Sequence, residues 1–300
     1  MLGTLTLSPA YAQGYRVKGS GEDAAPSSKT STPTTQGLQV IPELGLTQIA
    51  PGVPNPIIPV ERPTLTPEEV NAILNKQEEK PEVNHEVFAK ILQKFITKSG
   101  WVDYRSLKRD KDAMADLHSY VKDLSAMNPS TFEDPKDKLA SWLNLYNATI
   151  LEFILKNYPV DSLNRIKGFY EEKMFKIGDK QYSILDVDEE VFRNELKDAR
   201  TVFGRVQGYT SGPQLTKEAF TASKVDQQLD ERTFKFLADP ANVRFDTRRN
   251  LLTLNGLLSA YERDFPDMQG FLMTYLNRLP PRFQWMYVGN DFKLNDEKLH

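Results

Sequence analysis

The sequence contains no cysteine, and this absence excludes several kinds of site at once. Without cysteine there is no disulfide, no thiolate metal ligand, no thiol nucleophile and no lipid attached through an N-terminal cysteine. Histidine is nearly as scarce, with three residues in 300. We expect His300 to be flexible at the end of the chain, while His85 and His118 fall in different helical patterns. A histidine-rich metal site is therefore disfavoured, and we predict no metal or other cofactor.

The chain also has neither a strong net charge nor a long apolar run. Lys and Arg total 38 against 41 Asp and Glu, which gives a net charge of −3 and no general attraction to phosphate backbones. No run approaches the roughly 20 apolar residues that a membrane span requires. We therefore expect neither nucleic-acid binding nor a membrane span.

The first residues have part of the pattern of an export signal. Small residues at Ala10 and Ala12 match an A-x-A processing site, although a positively charged start and a full apolar stretch of about 7–15 residues are missing. We assign residues 1–12 to a truncated signal peptide, with a plain disordered tail as the alternative. The expected location is periplasmic or secreted, and the expected partner is a small molecule, peptide or protein of the cell envelope.

Residues 13–65 are dominated by Ser, Thr, Pro, Gly and Gln and cannot form a core. We predict a disordered tether there, with an ordered arm at Ile57, Ile58 and Val60 as the alternative. Residues 66–300 carry apolar positions at helical spacing, interrupted by short alternating runs and turns. The predicted class is α+β, a mostly helical single domain with a small antiparallel sheet.

The apolar spacing also predicts the individual elements. A capping box at Thr66-Pro-Glu-Glu69 predicts the start of the first helix. Further helices are predicted over 83–96, 106–127, 136–157, 186–196, 217–237 and 270–279. Strands are predicted as a hairpin over 174–184 and at 202–206, 243–245, 251–254 and 285–288.

One helical segment, Trp142-Leu-Asn-Leu-Tyr-Asn147, sets two amides and two aromatic side chains into an apolar pattern. Each buried Asn side chain brings donors and an acceptor that need partners once water is excluded. Asn144 and Asn147 are three residues apart and share a helix face. Two interpretations stay open: a structural hydrogen-bond network, or a face that lines a ligand pocket with Trp142 and Tyr146.

Four stretches together resemble the family catalogued as domain of unknown function 547, over about residues 82–296. Gly100-Trp-Val-Asp-Tyr104 resembles that family's G-x-V-D-Y, and the segment from Trp142 resembles its W-[IL]-N-x-Y-N. Asn290-Asp-Phe-Lys-Leu-Asn295 is similar to its terminal Y-D-W-x-L-N, and Arg200 to Leu215 is the fourth stretch. Each motif alone is weak, but all of them in this order indicate the family.

The fourth stretch departs from the family pattern, R-I-H-F-A-x-x-C-x-x-x-S-C-P-x-L. Val202 stands where His is usual, and Gln207 and Gly212 stand at the two Cys positions, while Arg200 and Ser211 are retained. In the family, a Cys and His pair would imply papain-like thiol chemistry, and with it a papain-like fold. The resemblance therefore implies that this chain has a degenerate site.

From these residues we expect an exported, non-catalytic binding or scaffold domain, a pseudoenzyme of this family. The alternative is a hydrolase or transferase of papain-like descent whose chemistry has moved to Ser211 or Asp291. Ser211 has no base near it in the sequence, and His118 is the one histidine that folding is expected to bring there. The expected pocket is lined by Trp142, Asn144, Tyr146, Asn147, Arg200, Ser211 and Asn295.

His85 is expected to be solvated, and the acidic run from Asp186 to Glu190 is expected to bind no ion. His85 falls off the apolar stripe of its helix, and a lone histidine needs partners before it can function. The acidic run from Asp186 to Glu190 lacks the spacing of an EF-hand loop. We interpret it as the charged first turn of a helix, which needs no ion.

Overall fold

The computed structural model of the chain describes residues 17–19, 84–277 and 279–300. The signal peptide predicted at 1–12 and the helix predicted to start at Thr66 lie outside the described residues, as does nearly all of the tether predicted at 13–65. The exception within that tether is Val17–Gly19, which forms a strand.

Helices make up most of the described chain. The first group is α1 (Glu86–Phe95), α2 (Tyr104–Arg109), α3 (Lys111–Met127) and α4 (Pro135–Asn157). After the hairpin come α5 (Ile184–Val187), which continues as a π-helix over Asp188–Leu196, and then α6 (Thr201–Gly204) and α7 (Val225–Ala238). The last two are α8 (Gly256–Ala260) and α9 (Met268–Tyr275), and short 3₁₀ turns lie at Leu163–Arg165 and Glu297–Leu299.

The strands form two small sheets. β2 (Phe175–Ile177) and β3 (Lys180–Tyr182) make the predicted hairpin. β1 (Val17–Gly19), β6 (Gln284–Tyr287), β5 (Leu251–Leu254) and β4 (Val243–Asp246) form the other sheet in that order. The α+β class is confirmed, but the β5 and β6 pair is parallel, not antiparallel as expected. The reason is the crossover through α8 and α9, because a parallel pair needs a long connection.

The long helix α4 lies at the centre of the domain. Asp134 caps it by accepting a hydrogen bond from the Lys136 N–H at 2.7 Å, and Pro135 suits its first turn. Every residue from 140 to 152 is buried, so the helix is covered on all sides and not only along the predicted apolar stripe. Any polar side chain in this part of α4 therefore needs a partner from the protein itself.

The predicted elements are confirmed at most places, and the differences have local causes. The strand predicted at 202–206 is wrong: residues 201–204 form the short helix α6, and all four are buried. A short apolar run of this kind is compatible with either a buried strand or a buried helix. The helix predicted over 106–127 is divided at Asp110, whose side chain caps α3 by accepting from the Ala113 N–H at 3.1 Å.

Two further boundaries differ from the prediction. The helix expected from 217 begins at Val225. The cap expected at Asp186 or Asp188 is Ser183, which forms a capping box with Asp186. Among the residues that the structure describes, no helix combines the length and the apolarity needed to cross a bilayer.

Candidate functional site

Asn144 and Asn147 fasten two loops of the domain to α4. The side-chain amide of Asn144 donates to the Phe220 carbonyl oxygen at 2.8 Å, and the Phe220 N–H donates back to Asn144 Oδ1 at 2.9 Å. Asn147 likewise donates to the Gly204 carbonyl oxygen at 3.0 Å and accepts from the Val206 N–H at 2.8 Å. Both side chains are buried, and these contacts correspond to the structural network.

The two aromatic residues of the same segment are also engaged inside the core. Trp142 is 1% exposed, and its indole N–H donates to Ser130 Oγ at 3.2 Å. Tyr146 is fully buried, and its ring centroid lies 5.6 Å from those of Phe175 and Phe192. The expectation that these four residues line an open pocket is therefore not supported by their contacts.

The three positions that depart from the family pattern hold unreactive side chains in packed surroundings. Val202 is fully buried in α6. Gln207 is buried, and its amide donates to the hydroxyl of Tyr146 at 3.1 Å. A Cβ added at Gly212 would lie 2.8 Å from Tyr209 Cζ, closer than van der Waals contact permits. Neither a nucleophile nor a general base is present at these positions.

A buried ionic cluster, Asp188, Arg205 and Asp264, lies beside Gln207. The Gln207 amide also donates to Tyr261 Oη, and that hydroxyl donates to Asp188 at 2.7 Å. Arg205, which is 1% exposed, donates to Asp188 at 2.6 Å and to Asp264 at 2.7 Å. The cluster therefore continues, through Tyr261, to the residue that stands at a family Cys position.

Burial and ion pairing act in opposite directions on the pKa values of Arg205 and Asp188. Burial works to lower the pKa of Arg205, but the charge of Asp188 opposes it and the pKa is raised. Burial raises the pKa of Asp188, and Arg205 acts in the lowering direction. As expected, Asp188 lies in the first turn of a helix. The sequence did not indicate that it is buried and paired with Arg205, which is 17 residues later in the chain.

Arg200 forms ion pairs with three aspartates, and we call this group of four residues the clamp. Its guanidinium donates to the carboxylates of Asp198 at 2.6 Å, Asp226 at 2.9 Å and Asp230 at 3.1 Å. The hydrogen bond that Arg200 donates to Asp198 is the largest of the effects that raise the pKa of Arg200. Asp226 and Asp230 lie on α7, so the clamp joins the start of α6 to that helix. Its donors are directed at the protein's own carboxylates.

Asn295 is where three of the four resemblance motifs meet. Its Oδ1 accepts from the Tyr104 hydroxyl at 2.8 Å, and its side-chain amide donates to Gln214 Oε1 at 3.1 Å. Its backbone N–H donates to the Gly208 carbonyl oxygen at 3.0 Å. Gly208 has φ +86°, and an added Cβ would collide with Ile154. Asn295 is fully buried, so these motifs join at a structural contact.

Ser211 and Asp291 brace one loop against another. The Asp291 N–H donates to Ser211 Oγ at 2.8 Å, and the Ser211 N–H lies 3.4 Å from the Asp291 carbonyl oxygen. The Asp291 side chain is occupied locally, because its Oδ1 accepts from the Lys293 N–H at 3.0 Å. The structure thus brings the two weak catalytic candidates together through backbone groups and not through a shared substrate position.

The histidine nearest this brace is His300, which the sequence interpretation set aside. Its Nε2 is 3.1 Å from Thr210 Oγ1, and its ring stacks on Trp101 with centroids 4.1 Å apart. The expectation that His118 would be the histidine to approach Ser211 is wrong. His118 hydrogen-bonds Glu152 on α4 at 2.7 Å, and its side chain is 68% exposed.

His85 is not solvated, contrary to expectation. Its Nδ1 is 2.7 Å from the Tyr120 hydroxyl, and its Nε2 is 3.5 Å from Ser141 Oγ. Burial lowers the pKa of His85 from 6.5 to about 4. The folded protein therefore resists protonation of this ring at pH values where the unfolded chain accepts it.

A pH dependence of stability follows from His85. Because the pKa is lower in the folded state, the unfolded chain binds the extra proton as pH falls from about 6.5 towards about 4, and stability is lost over that window. Between about pH 7 and about pH 4.5, the free energy of unfolding of His85→Gln should fall by about 2 kcal/mol less than that of the wild type. Urea unfolding at both pH values measures this difference. His118→Gln, which keeps His85, should behave like the wild type, and equal losses in all three proteins would refute the prediction.

An open cleft of about 770 Å³ lies between α2, the segment that follows α4, and the 3₁₀ turn at Glu297–Leu299. We call it the basic cleft. Tyr158 is one of its lining residues. Pro159, Val160 and Leu299 form a small apolar edge. Its charged lining residues are Arg105, Lys108, Arg109, Asp161, Arg165, Asp296 and Lys298.

None of the sequence-predicted site residues lines the basic cleft. Sequence reasoning missed it because its cations come from three separated segments, none of which forms a local motif. The acidic and histidine side chains of the described residues form no group of three or more arranged to hold a metal ion. The chemistry that the cleft offers is therefore that of its cationic side chains and apolar edge.

Comparison with known proteins adds one match. Residues 129–237 match the family model described as "Protein of unknown function, DUF547". No curated protein and no solved structure matches the chain. The matched range includes the segment from Trp142 to Asn147 and the stretch from Arg200 to Leu215. The other two motifs lie outside it, and both of them contact the matched range through Asn295.

Proposed function

Because this chain belongs to the DUF547 family through residues 129–237, we propose that it is a non-catalytic binding or scaffold domain of an exported protein. The observation that carries the proposal is the state of Gln207. This residue stands at a family Cys position, and its amide is buried between the hydroxyls of Tyr146 and Tyr261. In this chain the side chain at that position bonds two core tyrosines and supplies no nucleophile.

The surroundings of Gln207 support loss of chemistry with retention of the fold. A thiol nucleophile needs a base within hydrogen-bond reach. Val202 stands at the family His position and Gly212 at a family Cys position, and these residues supply neither a base nor a thiol. The polar residues that the family resemblance retains are used for structure: Asn144 and Asn147 fasten loops, and Arg200 joins helices. The residue types that match the family pattern therefore serve the scaffold in this chain.

Two observations support binding and export. The basic cleft is open and of a volume typical of small-ligand sites, which are about 300–1,000 Å³. The A-x-A pattern at Ala10 and Ala12, followed by a stretch rich in Pro, Ser and Thr, is typical of an exported domain on a tether. The expected setting is the periplasm or the cell exterior, and the expected partner is a component of the cell envelope.

The proposal predicts saturable binding without turnover. In thermal-shift measurements against envelope fragments and peptides, at least one compound should raise the melting temperature of the wild type, and chromatography should recover that compound unchanged. Ser211→Ala should bind it equally well, since the Ser211 hydroxyl serves as a loop brace. The proposal fails if a broad panel of compounds leaves the melting temperature unchanged, or if a bound compound is consumed.

A second candidate is the hydrolase or transferase with displaced chemistry. It is favoured by the contact between His300 and Thr210, which brings an imidazole next to the residue before Ser211. Against it, Ser211 Oγ is engaged by the Asp291 N–H. This candidate requires that Ser211→Ala, His300→Ala or Asp291→Ala abolish cleavage of peptides or esters. Cleavage that survives all three substitutions would exclude it.

A further inference from the structure

We infer that the basic cleft binds a small ligand that carries two closely spaced phosphate groups. The inference rests on the proposed binding function and names the class of ligand. Five basic side chains and two carboxylates line the cleft, so it has three positive charges in excess. The chain as a whole has a net charge of −3. Positive charge is therefore concentrated at this cleft against the balance of the molecule.

The two carboxylates of the cleft are already engaged. Asp161 pairs with Arg165 at 3.0 Å. Asp296 is 2% exposed, accepts from the Tyr158 hydroxyl at 2.8 Å, and caps the last 3₁₀ turn through the Lys298 N–H at 3.0 Å. Neither carboxylate is paired with the arginines of α2.

Arg105 and Arg109 are the residues that point to an anionic ligand. They lie four residues apart on one face of α2, and both are exposed. Neither makes an ion pair or a side-chain hydrogen bond with any residue between 84 and 300 that the structure describes. By contrast, Arg200 and Arg205 are each paired with two or more carboxylates. In a chain with more acidic than basic residues, this neighbouring pair keeps its donors available.

The charge and shape of the cleft suit two linked phosphates. Arginine binds phosphate oxygens through parallel N–H donors. Lys108 lies between the two arginines and adds a compact charge, with one of its three donors engaged by the Tyr158 carbonyl oxygen. Two phosphate groups carry roughly three negative charges near neutral pH, which equals the excess of the cleft. Pro159, Val160 and Leu299 form an apolar edge that can contact the organic part of such a ligand.

The test compares two double variants that remove the same charge. Arg105→Gln/Arg109→Gln alters the cleft, whereas Arg248→Gln/Arg249→Gln alters two exposed arginines at the turn between β4 and β5. With pyrophosphate as the probe in titration calorimetry on the full chain, the cleft variant should bind about tenfold more weakly or worse. The turn variant should bind like the wild type. Equal weakening in both variants, or no binding by the wild type to any phosphate probe, would overturn the inference.

The same variants identify the source of the phosphates. Soluble pyrophosphate and vesicles of phosphatidylcholine containing cardiolipin, whose headgroup carries two phosphate groups, are tested in parallel. Binding to vesicles alone that is lost in the cleft variant identifies a lipid headgroup, and binding to pyrophosphate that is lost in the same variant identifies a soluble ligand. Arg105→Lys/Arg109→Lys keeps the charge but not the fork of donors, so it should bind more tightly than the glutamine variant and more weakly than the wild type. Urea midpoints of all variants verify that the fold is intact.

The outcome also separates this inference from the proposed function. A ligand without phosphate that stabilises the wild type and the cleft variant equally, in the absence of phosphate binding, overturns the inference and leaves the binding function standing. Turnover that depends on Ser211 overturns the non-catalytic function, while the calorimetry at Arg105 and Arg109 still decides what the cleft binds.

Discussion

Arg205→Met should lower the free energy of unfolding by about 3–5 kcal/mol, because it leaves the buried carboxylate of Asp188 without its counter-charge. Asp264 keeps its ion pair with Arg193 at 2.6 Å. Asp188 and Asp264 both bond this guanidinium, and each side chain is 5% exposed. Methionine fills much of the volume but supplies no donor. The substitution also removes the contact of the guanidinium with the rings of Phe192 and Tyr261, whose centroids lie 4.6 and 4.5 Å away.

Arg263→Met is the matched control for Arg205→Met. Arg263 also pairs with a carboxylate, Glu189 at 3.2 Å, but its side chain is 74% exposed. An exposed ion pair contributes about 0–1 kcal/mol, so urea unfolding should detect little change in the control. In the Arg205 variant the destabilisation should shrink as pH falls, because burial raises the pKa of Asp188 and protonation removes its unpaired charge. A loss below about 1 kcal/mol, or a loss equal to the control, would contradict a buried ionic cluster.

Asn147→Ala should lower the free energy of unfolding by roughly 2–5 kcal/mol, because it leaves two buried backbone groups without partners. The Val206 N–H and the Gly204 carbonyl oxygen both depend on this side chain. The cavity that the truncated side chain leaves in the core around α4 adds to the loss of stability. If Asn147 instead served mainly to contact a ligand, its replacement would weaken binding with little change in stability.

The control for Asn147→Ala is Asn157→Ala on the same helix. Asn157 is exposed and donates to the Phe153 carbonyl oxygen at 2.9 Å within α4. Its loss leaves groups that water can reach, so urea unfolding should show a change within about 0.5 kcal/mol. Similar losses in both variants would mean that the buried bonds of Asn147 add nothing beyond helix propensity, and the structural network would be rejected.

The elements that could be predicted from the sequence are those with a strong period or a strong turn signal. The helix around Phe88 and the hairpin at Gly178 were confirmed, because apolar spacing and turn chemistry act locally. Residues 202–206 were not predictable in this way, since a run that is buried on all sides has no period. The break at Asp110 was missed because a cap inside a continuous helical pattern is a weak local signal.

The candidate site was less predictable than the fold. The sequence indicated that Asn144, Asn147 and Arg200 were special, but both a structural network and a pocket satisfied that pattern. The choice between them depends on what lies across the core, and Phe220, Gly204 and the acids of α7 are distant in sequence. The basic cleft was missed for the same reason, because its cations come from residues 105–109, 165 and 298.

The sequence by itself indicated the family resemblance, the α+β class and the absence of cysteine chemistry. These conclusions depend only on residue types and on short-range order, which the sequence contains directly. The tertiary structure decided which polar residues are committed to one another: Gln207 to two tyrosines, Arg205 to two buried aspartates, and Arg105 and Arg109 to no carboxylate among the described residues. The physical reason is that the burial and pairing of a charge depend on groups far away in the chain, and only the fold brings those groups within hydrogen-bond distance.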